Sequence, residues 1–265
     1  MKAPKAILLT LLYLVIYFIP QLILVGLVKY IPFFEEKPSE HFYLVVIIGS
    51  LLSYFILFYF FWKPRPDVNT DLFHKPFNVN LLPYLILIVL GLGFIAQPFF
   101  DFDMIIAYYA NDIEPIPYKF AGFTTYMIYY TISSLLIAPV FEELFFRKFL
   151  FGKLLEQHKL WLAILISSLC FAAIHFETPK NLIFSFIFGV IACLIYVKTK
   201  NIWYPMAIHF LNNLFVLLYN VFGESFFIWV YSHNFGVMYW ALFVFGILIT
   251  VLGTKTILKS VAIED

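Results

Sequence analysis

Apolar runs of about 20 residues recur along nearly the whole sequence, and they limit the folds open to this chain. A helix of about 20 apolar residues crosses the roughly 30 Å hydrocarbon core of a bilayer. With 63% hydrophobic and 12% charged residues, the chain is far more apolar than a soluble domain. We therefore predict an all-α polytopic membrane helical bundle of about eight transmembrane helices. The predicted spans are residues 6–28, 43–62, 81–100, 124–151, 160–176, 181–197, 203–221 and 236–254.

The connections between these runs are mostly short, and the sequence has neither internal repeats nor low-complexity linkers. Residues 1–265 are therefore predicted to form a single integral-membrane domain. The first run follows Lys2 and Lys5 as the apolar region of a signal peptide would. It is about 23 residues long, which exceeds a signal-peptide core, so we interpret it as an uncleaved first span.

The basic residues are unequally divided between the two sides of the predicted bundle. One side carries 13 of the 17 Lys and Arg residues, and the other carries Lys29, Lys37, Lys119 and Lys180. Because basic loops stay on the cytoplasmic side, both termini are predicted to be cytoplasmic, in a multi-pass protein of the cell membrane. The longest external segment, about 101–121, is acidic and is interpreted as a solvated loop.

Charge and cysteine content exclude several functions. The net charge of +1 and the lack of basic clusters interleaved with aromatic residues argue against a nucleic-acid partner. Cys170 and Cys193 fall inside apolar runs, where cysteine behaves as a small hydrophobic residue. The expected partners are the lipid bilayer and a membrane-associated peptide or protein.

Ionisable side chains within the predicted spans are confined to three of the eight. A charged side chain in the bilayer centre costs about 2.5–3.5 kcal/mol on insertion scales, so such groups normally face one another or a polar cavity. Their confinement to three helices predicts one shared polar site. Its ionisable members are Glu142, Glu143, Arg147, His175 and His209.

Helical spacing groups these residues further, because side chains four positions apart lie about 40° apart around the axis. The stretch EELFFR places Glu143 and Arg147 at this interval, with the acid first, which favours an ion pair. Glu142 lies about 140° from Arg147. Our hypothesis is that Glu143 and Arg147 pair structurally, which leaves Glu142 available as a base. The same interval relates Phe171 to His175 and His209 to Asn213.

These acidic, imidazole and amide side chains are suited to the hydrolysis of an acyl bond. Glu142, with His175 nearby, could activate a water molecule. His209 and Asn213 lie on one helical face and could stabilise an oxyanion. Glutamate and two histidines could also ligate zinc, which is not excluded, although the sequence lacks HExxH and the two histidines lie on different helices.

Two interpretations other than hydrolysis remain open from the residues alone. The polar cluster could serve only to hold helices together in a membrane scaffold. Intramembrane Glu, Arg and His also occur in proton-coupled transporters. No repeat of discontinuous helices supports a transporter.

Three ordered motifs resemble a known family: EExxxR in "EELFFR", FxxxH in "FAAIH" and HxxxN in "HFLNN". They are similar to those of the CPBP family (CAAX protease and bacteriocin processing, also called Abi) of glutamic intramembrane endopeptidases. The resemblance covers residues 122–221, the predicted motif-bearing catalytic core. It implies that Glu142 and His175 activate water and that His209 and Asn213 form the oxyanion hole. Glu143, Arg147 and Phe171 match the supporting positions.

The resemblance favours a metal-free peptide hydrolase without cofactors, whose substrates could be lipidated C-termini, leader peptides or other membrane proteins. The alternative is a non-proteolytic membrane partner, such as a scaffold or a bacteriocin-immunity protein. Depth along the helices presents one difficulty. Counting about 1.5 Å per residue from the cytoplasmic ends places His209 about 9 Å deep, Glu142 about 14 Å and His175 about 23 Å. His175 would therefore lie deeper in the membrane than His209 and Glu142, unless the fifth span is tilted or begins further outside the bilayer.

Overall fold

The computed structural model describes residues 1–28, 30, 38–59, 76–112, 114, 128, 131–176 and 178–261. Ten helices account for the regular structure of these residues, which confirms the all-α class. In chain order they are α1 (Ala3–Val28), α2 (Pro38–Leu57), α3 (Leu82–Phe100), α4 (Phe102–Asn111), α5 (132–155), α6 (Leu160–Ala173), α7 (Leu182–Thr199), α8 (Trp203–Phe222), α9 (Glu224–Ser232) and α10 (Val237–Val261).

Each of the eight apolar runs contains one of these helices, although the lengths differ from those predicted. Within the described residues, α1, α3, α7, α8 and α10 are long and apolar enough to cross a membrane. The apolar stretches Leu44–Leu57 in α2 and Leu160–Ala173 in α6 are shorter. The predicted span ends at 60–62, 124–127 and 129–130 lie outside the described residues.

Two helices were not predicted. The segment 101–121 was interpreted as a loop, but residues 102–111 form α4; residues 113 and 115–121 lie outside the described residues. Asp103 in the first turn of α4 favours the helix because a carboxylate stabilises the positive end of the helix dipole. Helix α9 has nine residues, and an apolar run of that length gives no transmembrane signal.

Small residues let α3 and α10 pack closely. A Cβ atom added to Gly91 would lie 2.2 Å from Thr250 Oγ1 and 2.6 Å from the Gly246 carbonyl oxygen. The same addition to Gly246 would lie 2.8 Å from the carbonyl oxygen of Gly91. Such approaches are typical of membrane helices, whose association depends on van der Waals packing because lipid tails are as apolar as the helices.

The second half of α5 lies in the interior of the bundle, whereas Leu136 in its first half is exposed. Its side chains Phe145, Phe146 and Phe151 are fully buried in a core to which α1, α2, α3, α6, α7, α8 and α10 also contribute. The polar residues of the first motif are therefore enclosed by the other helices. This placement sets the environment in which their charges must be balanced.

We expect Gly91→Ala to reduce the free energy of unfolding by about 1–3 kcal/mol, because the added methyl group meets backbone that cannot move aside. Gly26→Ala in α1 is the matched control, since nothing lies within 4 Å of its added Cβ. Thermal unfolding of the two purified variants in detergent measures the difference. Equal unfolding temperatures would contradict the close α3–α10 contact.

Candidate active site

Helix α5, which carries the first motif, alternates between two helical forms. Ile132–Ile137 and Leu144–Phe151 are π-helical, and Ala138–Glu143 between them is α-helical. Pro139 explains the first π stretch, because proline lacks an N–H and its ring clashes with the carbonyl four residues earlier. The wider turn relieves this clash, and the N–H of Ala138 bonds the carbonyl of Ser133, five residues back. Glu142 and Glu143 end the α-helical stretch.

Glu143 joins two motifs through its carboxylate. Its Oε2 lies 3.0 Å from Arg147 Nε, and its Oε1 lies 2.9 Å from His209 Nδ1 on α8. The first contact has the distance of an ion pair but not the direction of a linear hydrogen bond. Glu143 and Arg147 have no solvent exposure. The pairing predicted from the four-residue spacing is therefore present, and His209 is an additional partner that spacing along one helix could not reveal.

Arg147 is held by aromatic rings as well as by Glu143. Its guanidinium carbon lies 4.0 Å from the ring centre of Phe171 on α6 and 5.5 Å from that of Phe188 on α7. A cation over an aromatic face is attracted by the ring quadrupole, and more strongly where water is excluded. Phe188 also packs on the His209 ring, with centroids 5.1 Å apart. Phe171 thus supports the ion pair, and Phe188 does the same without belonging to a motif.

Glu142 has a different environment from its neighbour. Its side chain is buried, and Oε1 accepts a long hydrogen bond of 3.4 Å from the Tyr54 hydroxyl on α2. Oε2 is buried and has no hydrogen-bond partner. Glu142 is therefore less neutralised than Glu143, as the helical geometry suggested.

His175 lies in the turn that follows α6, which ends at Ala173. Its Nδ1 is 3.0 Å from the carbonyl oxygen of Phe171, so Nδ1 carries the hydrogen and Nε2 is left as an acceptor. The side chain is close enough to Glu142, His209 and Arg147 for electrostatic interaction. Phe171, one turn before His175, packs on the His175 ring with centroids 4.9 Å apart and on the His209 ring of α8 at 5.9 Å, so the second and third motifs lie together.

Asn213 connects α8 to the irregular start of α5. Its Nδ2 donates a 2.7 Å hydrogen bond to the carbonyl of Ser134. In a π-helix this carbonyl would accept from residue 139, but Pro139 has no N–H to donate. Asn213 supplies that donor from another helix. One N–H of its amide is thereby engaged, and the second is left for another acceptor.

Comparison with known proteins adds an independent finding. Residues 124–215, which contain all three motifs, match the family model described as Type II CAAX prenyl endopeptidase Rce1-like. The family resemblance stated from the motifs is therefore confirmed over these residues, which make up about a third of the chain. The matching family is one of peptide hydrolases.

Two curated relatives differ in how much they share with this chain. The putative membrane peptidase YdiL of Bacillus subtilis is 37% identical over 87 residues, which are 33% of this chain and 35% of YdiL. The membrane-embedded CAAX protease MroQ of Staphylococcus aureus is 27% identical over 221 residues, which are 80% of this chain and 89% of MroQ. The alignment thus spans about a third of the length of YdiL and most of MroQ. No solved structure matches the chain.

A zinc site would require several ligand side chains gathered around one point. Across the residues that the structure describes, no group of three or more His, Cys, Asp or Glu residues could hold a metal ion. His209 contacts Glu143 and not Glu142, so the Glu, His and His proposed as ligands are not gathered as they would be for zinc.

We expect Arg147→Met to lower the free energy of unfolding by about 3–5 kcal/mol, because it leaves the Glu143 carboxylate buried without its cation. The control is Glu156→Gln in the exposed pair Lys153–Glu156, where the nitrogen and oxygen are 2.7 Å apart. An exposed pair contributes about 1 kcal/mol or less. Unfolding in detergent measures both changes, and a stable Arg147→Met protein would show that Glu143 does not depend on Arg147.

Proposed function

We propose that this protein is an intramembrane endopeptidase that hydrolyses peptide bonds with a glutamate-activated water molecule. The observation that carries the proposal is the contrast between two adjacent buried carboxylates. Glu143 lies 3.0 Å from the Arg147 guanidinium and 2.9 Å from His209, whereas the polar contact of Glu142 among the described residues is a 3.4 Å hydrogen bond from Tyr54. Oε2 of each carboxylate has no hydrogen-bond partner, so the presence of a neighbouring cation is what separates them. A buried carboxylate without a counter-ion beside a histidine is suited to general-base chemistry.

In the proposed reaction, Glu142 removes a proton from water as the water oxygen attacks the carbonyl carbon of the scissile bond. His175, whose Nε2 is an acceptor, assists at the same water. The tetrahedral intermediate collapses when the nitrogen of the scissile bond receives a proton, which Glu142 returns. The carbon–nitrogen bond breaks, and the products are a carboxylic acid and an amine.

His209 and Asn213 are the proposed donors to the oxyanion. Asn213 keeps one amide N–H beyond the bond to Ser134. His209 gives Nδ1–H to Glu143, so donation from Nε2 requires a ring that carries both protons, with Glu143 as its counter-charge. Fixed donors of this kind cost no reorganisation when charge develops during the reaction. Glu143, Arg147 and Phe171 then act by holding His209 and the helices in place.

We propose eight membrane crossings in one domain of residues 1–265, with the catalytic core at 122–221 and both termini cytoplasmic. The excess of basic residues on one side supports this orientation, although Lys29, Lys37, Lys63, Arg65, Lys75 and Lys119 lie outside the described residues. The eight crossings are the five long helices, α5, and the shorter helices α2 and α6. The site then lies inside the membrane region, near the cytoplasmic half of α5 and α8.

The proposed substrates are membrane-associated peptides or proteins, including lipidated CAAX ends and leader peptides. The description of the matching family as CAAX prenyl endopeptidase supports the first class. A non-proteolytic scaffold or immunity partner is the competing function, and in it the contacts of Glu143 would serve only to join helices.

We expect Glu142→Gln to abolish proteolysis while leaving folding unchanged, because the amide cannot accept the proton of the attacking water. The measurement compares the membrane and secreted peptides of cells that express either the wild type or the variant. It counts the peptide termini that appear only when Glu142 is present. Cleavage of the peptides identified in this way is then assayed with purified protein. Unchanged termini and an unchanged phenotype would favour the scaffold.

Glu143→Gln is the matched variant, because it makes the same chemical change one residue away. We expect it to lower the unfolding temperature, since its contacts to Arg147 and His209 weaken, and to retain part of the activity per folded molecule. A Glu143→Gln protein that folds normally but loses more activity than Glu142→Gln would reverse the proposed roles.

We expect proteolysis by the purified protein to persist in the presence of a metal chelator, with no stoichiometric zinc in elemental analysis. The mechanism places the charge stabilisation on His209 and Asn213 and requires no Lewis acid. Activity that disappears on chelation and returns with added zinc would favour the metal mechanism.

A further inference from the structure

Two tyrosines from the first two helices lie beside Glu142, outside the residues that match the family model. Tyr13 of α1 and Tyr54 of α2 have 2% and 1% of their surface exposed, respectively. Both interact electrostatically with Glu142. The matched residues begin at 124, so neither tyrosine belongs to the motif-bearing segment.

The Tyr54 ring is fixed by its neighbours. It stacks on Phe141, the residue before Glu142, with centroids 4.6 Å apart and planes 18° apart. Tyr17 of α1 packs on it at 5.7 Å. These contacts aim the hydroxyl at Oε1 of Glu142, with an oxygen–oxygen distance of 3.4 Å. Side chains packed in this way lose little entropy when a hydrogen bond forms, because their rotamers are already set.

The Tyr13 hydroxyl extends the cluster. Its ring packs on Phe145 and Phe146 of α5, at 4.8 and 5.4 Å between centroids. The hydroxyl is buried beside Tyr54 and makes no hydrogen bond of ordinary geometry. The Tyr13 hydroxyl and Oε2 of Glu142 are thus both buried without a hydrogen-bond partner, which is unusual because buried polar groups are normally paired.

We propose that Tyr54 is a positioning residue that fixes which oxygen of Glu142 acts as the base. The proposal depends on the proteolytic function proposed above. Tyr54 donates to Oε1, and Oε2, which has no hydrogen-bond partner, is left to take the proton from water.

The present distance is longer than the 2.5–3.0 Å typical of a bond between a hydroxyl and an oxygen acceptor. Hydrogen bonds of catalytic groups are commonly long in an unliganded protein and shorten when substrate binds. Tyr54 contacts the base and not the reacting atoms. Its loss should therefore affect the chemical step more than substrate affinity, since misplacement of a catalytic group by a fraction of an ångström slows the reaction.

The experiment uses full-length Tyr54→Phe, which removes only the hydroxyl and retains the ring that stacks on Phe141. We expect kcat to fall about tenfold or more while KM changes less than about twofold. Ser53→Ala is the matched control, because the adjacent Ser53 hydroxyl bonds the carbonyls of Tyr17 and Gly49 and not Glu142. A similar loss of kcat in Ser53→Ala would assign the effect to loosened α1–α2 packing and overturn the proposal.

A second measurement tests the contact without proteolysis. Unfolding temperatures are compared for Tyr54→Phe in wild type and in Glu142→Met. In Glu142→Met the Tyr54 hydroxyl loses its acceptor, so removing it should stabilise the protein, whereas in wild type it should not. Equal effects in both backgrounds would show that the two side chains are uncoupled, and the inference would fail.

The outcomes separate this inference from the proposed function. An unchanged kcat in Tyr54→Phe, with Glu142→Gln inactive, overturns the role of Tyr54 and leaves the proteolytic function intact. Proteolysis by Glu142→Gln overturns both, because Tyr54 would then position a carboxylate that the reaction does not use.

Discussion

The contact of the Glu143 carboxylate with Arg147 and His209 is the interaction on which the rest of the site depends. A lone charge within a membrane bundle is strongly unfavourable, and a buried pair is tolerated only where geometry and further contacts compensate for lost hydration. Here one carboxylate bonds to two groups on two helices, at 3.0 and 2.9 Å. Aromatic rings from α6 and α7 cover the guanidinium. The first and third motifs are therefore joined through a residue that is not itself proposed to react.

This arrangement accounts for the presence of two adjacent glutamates. Successive residues on a helix point in different directions, so one carboxylate can be satisfied by protein groups while the other faces a different set of neighbours. Glu143 faces α8, and Glu142 faces Tyr54 of α2. A helix that precedes the residues matching the family model therefore contributes to the surroundings of the proposed base. The proposed catalytic site thus extends beyond the three motifs.

The sequence was informative about groups that share one helix and uninformative about contacts between helices. Hydropathy located a helix in every predicted span because the bilayer imposes a length, and the four-residue rule found the Glu143–Arg147 pair because the helix imposes a period. The contact of Glu143 with His209 and the approach of Tyr54 depend on how helices pack, which no spacing encodes. Counting residues along the spans did not show that Phe171 packs on His209, because tilt and packing of the helices decide it. Helices α4 and α9 were missed because they are short and partly polar.

The irregular backbone of α5 links the fold to the chemistry. Pro139 removes one donor from the helix, and the widened turn exposes the Ser134 carbonyl to a side chain from α8. One N–H of the Asn213 amide donates to this carbonyl, and this bond fixes the direction of the second N–H. A regular α-helix would satisfy its own carbonyls and offer Asn213 no such anchor. The proline four residues before Glu143 thus helps to place a proposed oxyanion donor on another helix, and the departure from ideal geometry is part of the proposed site.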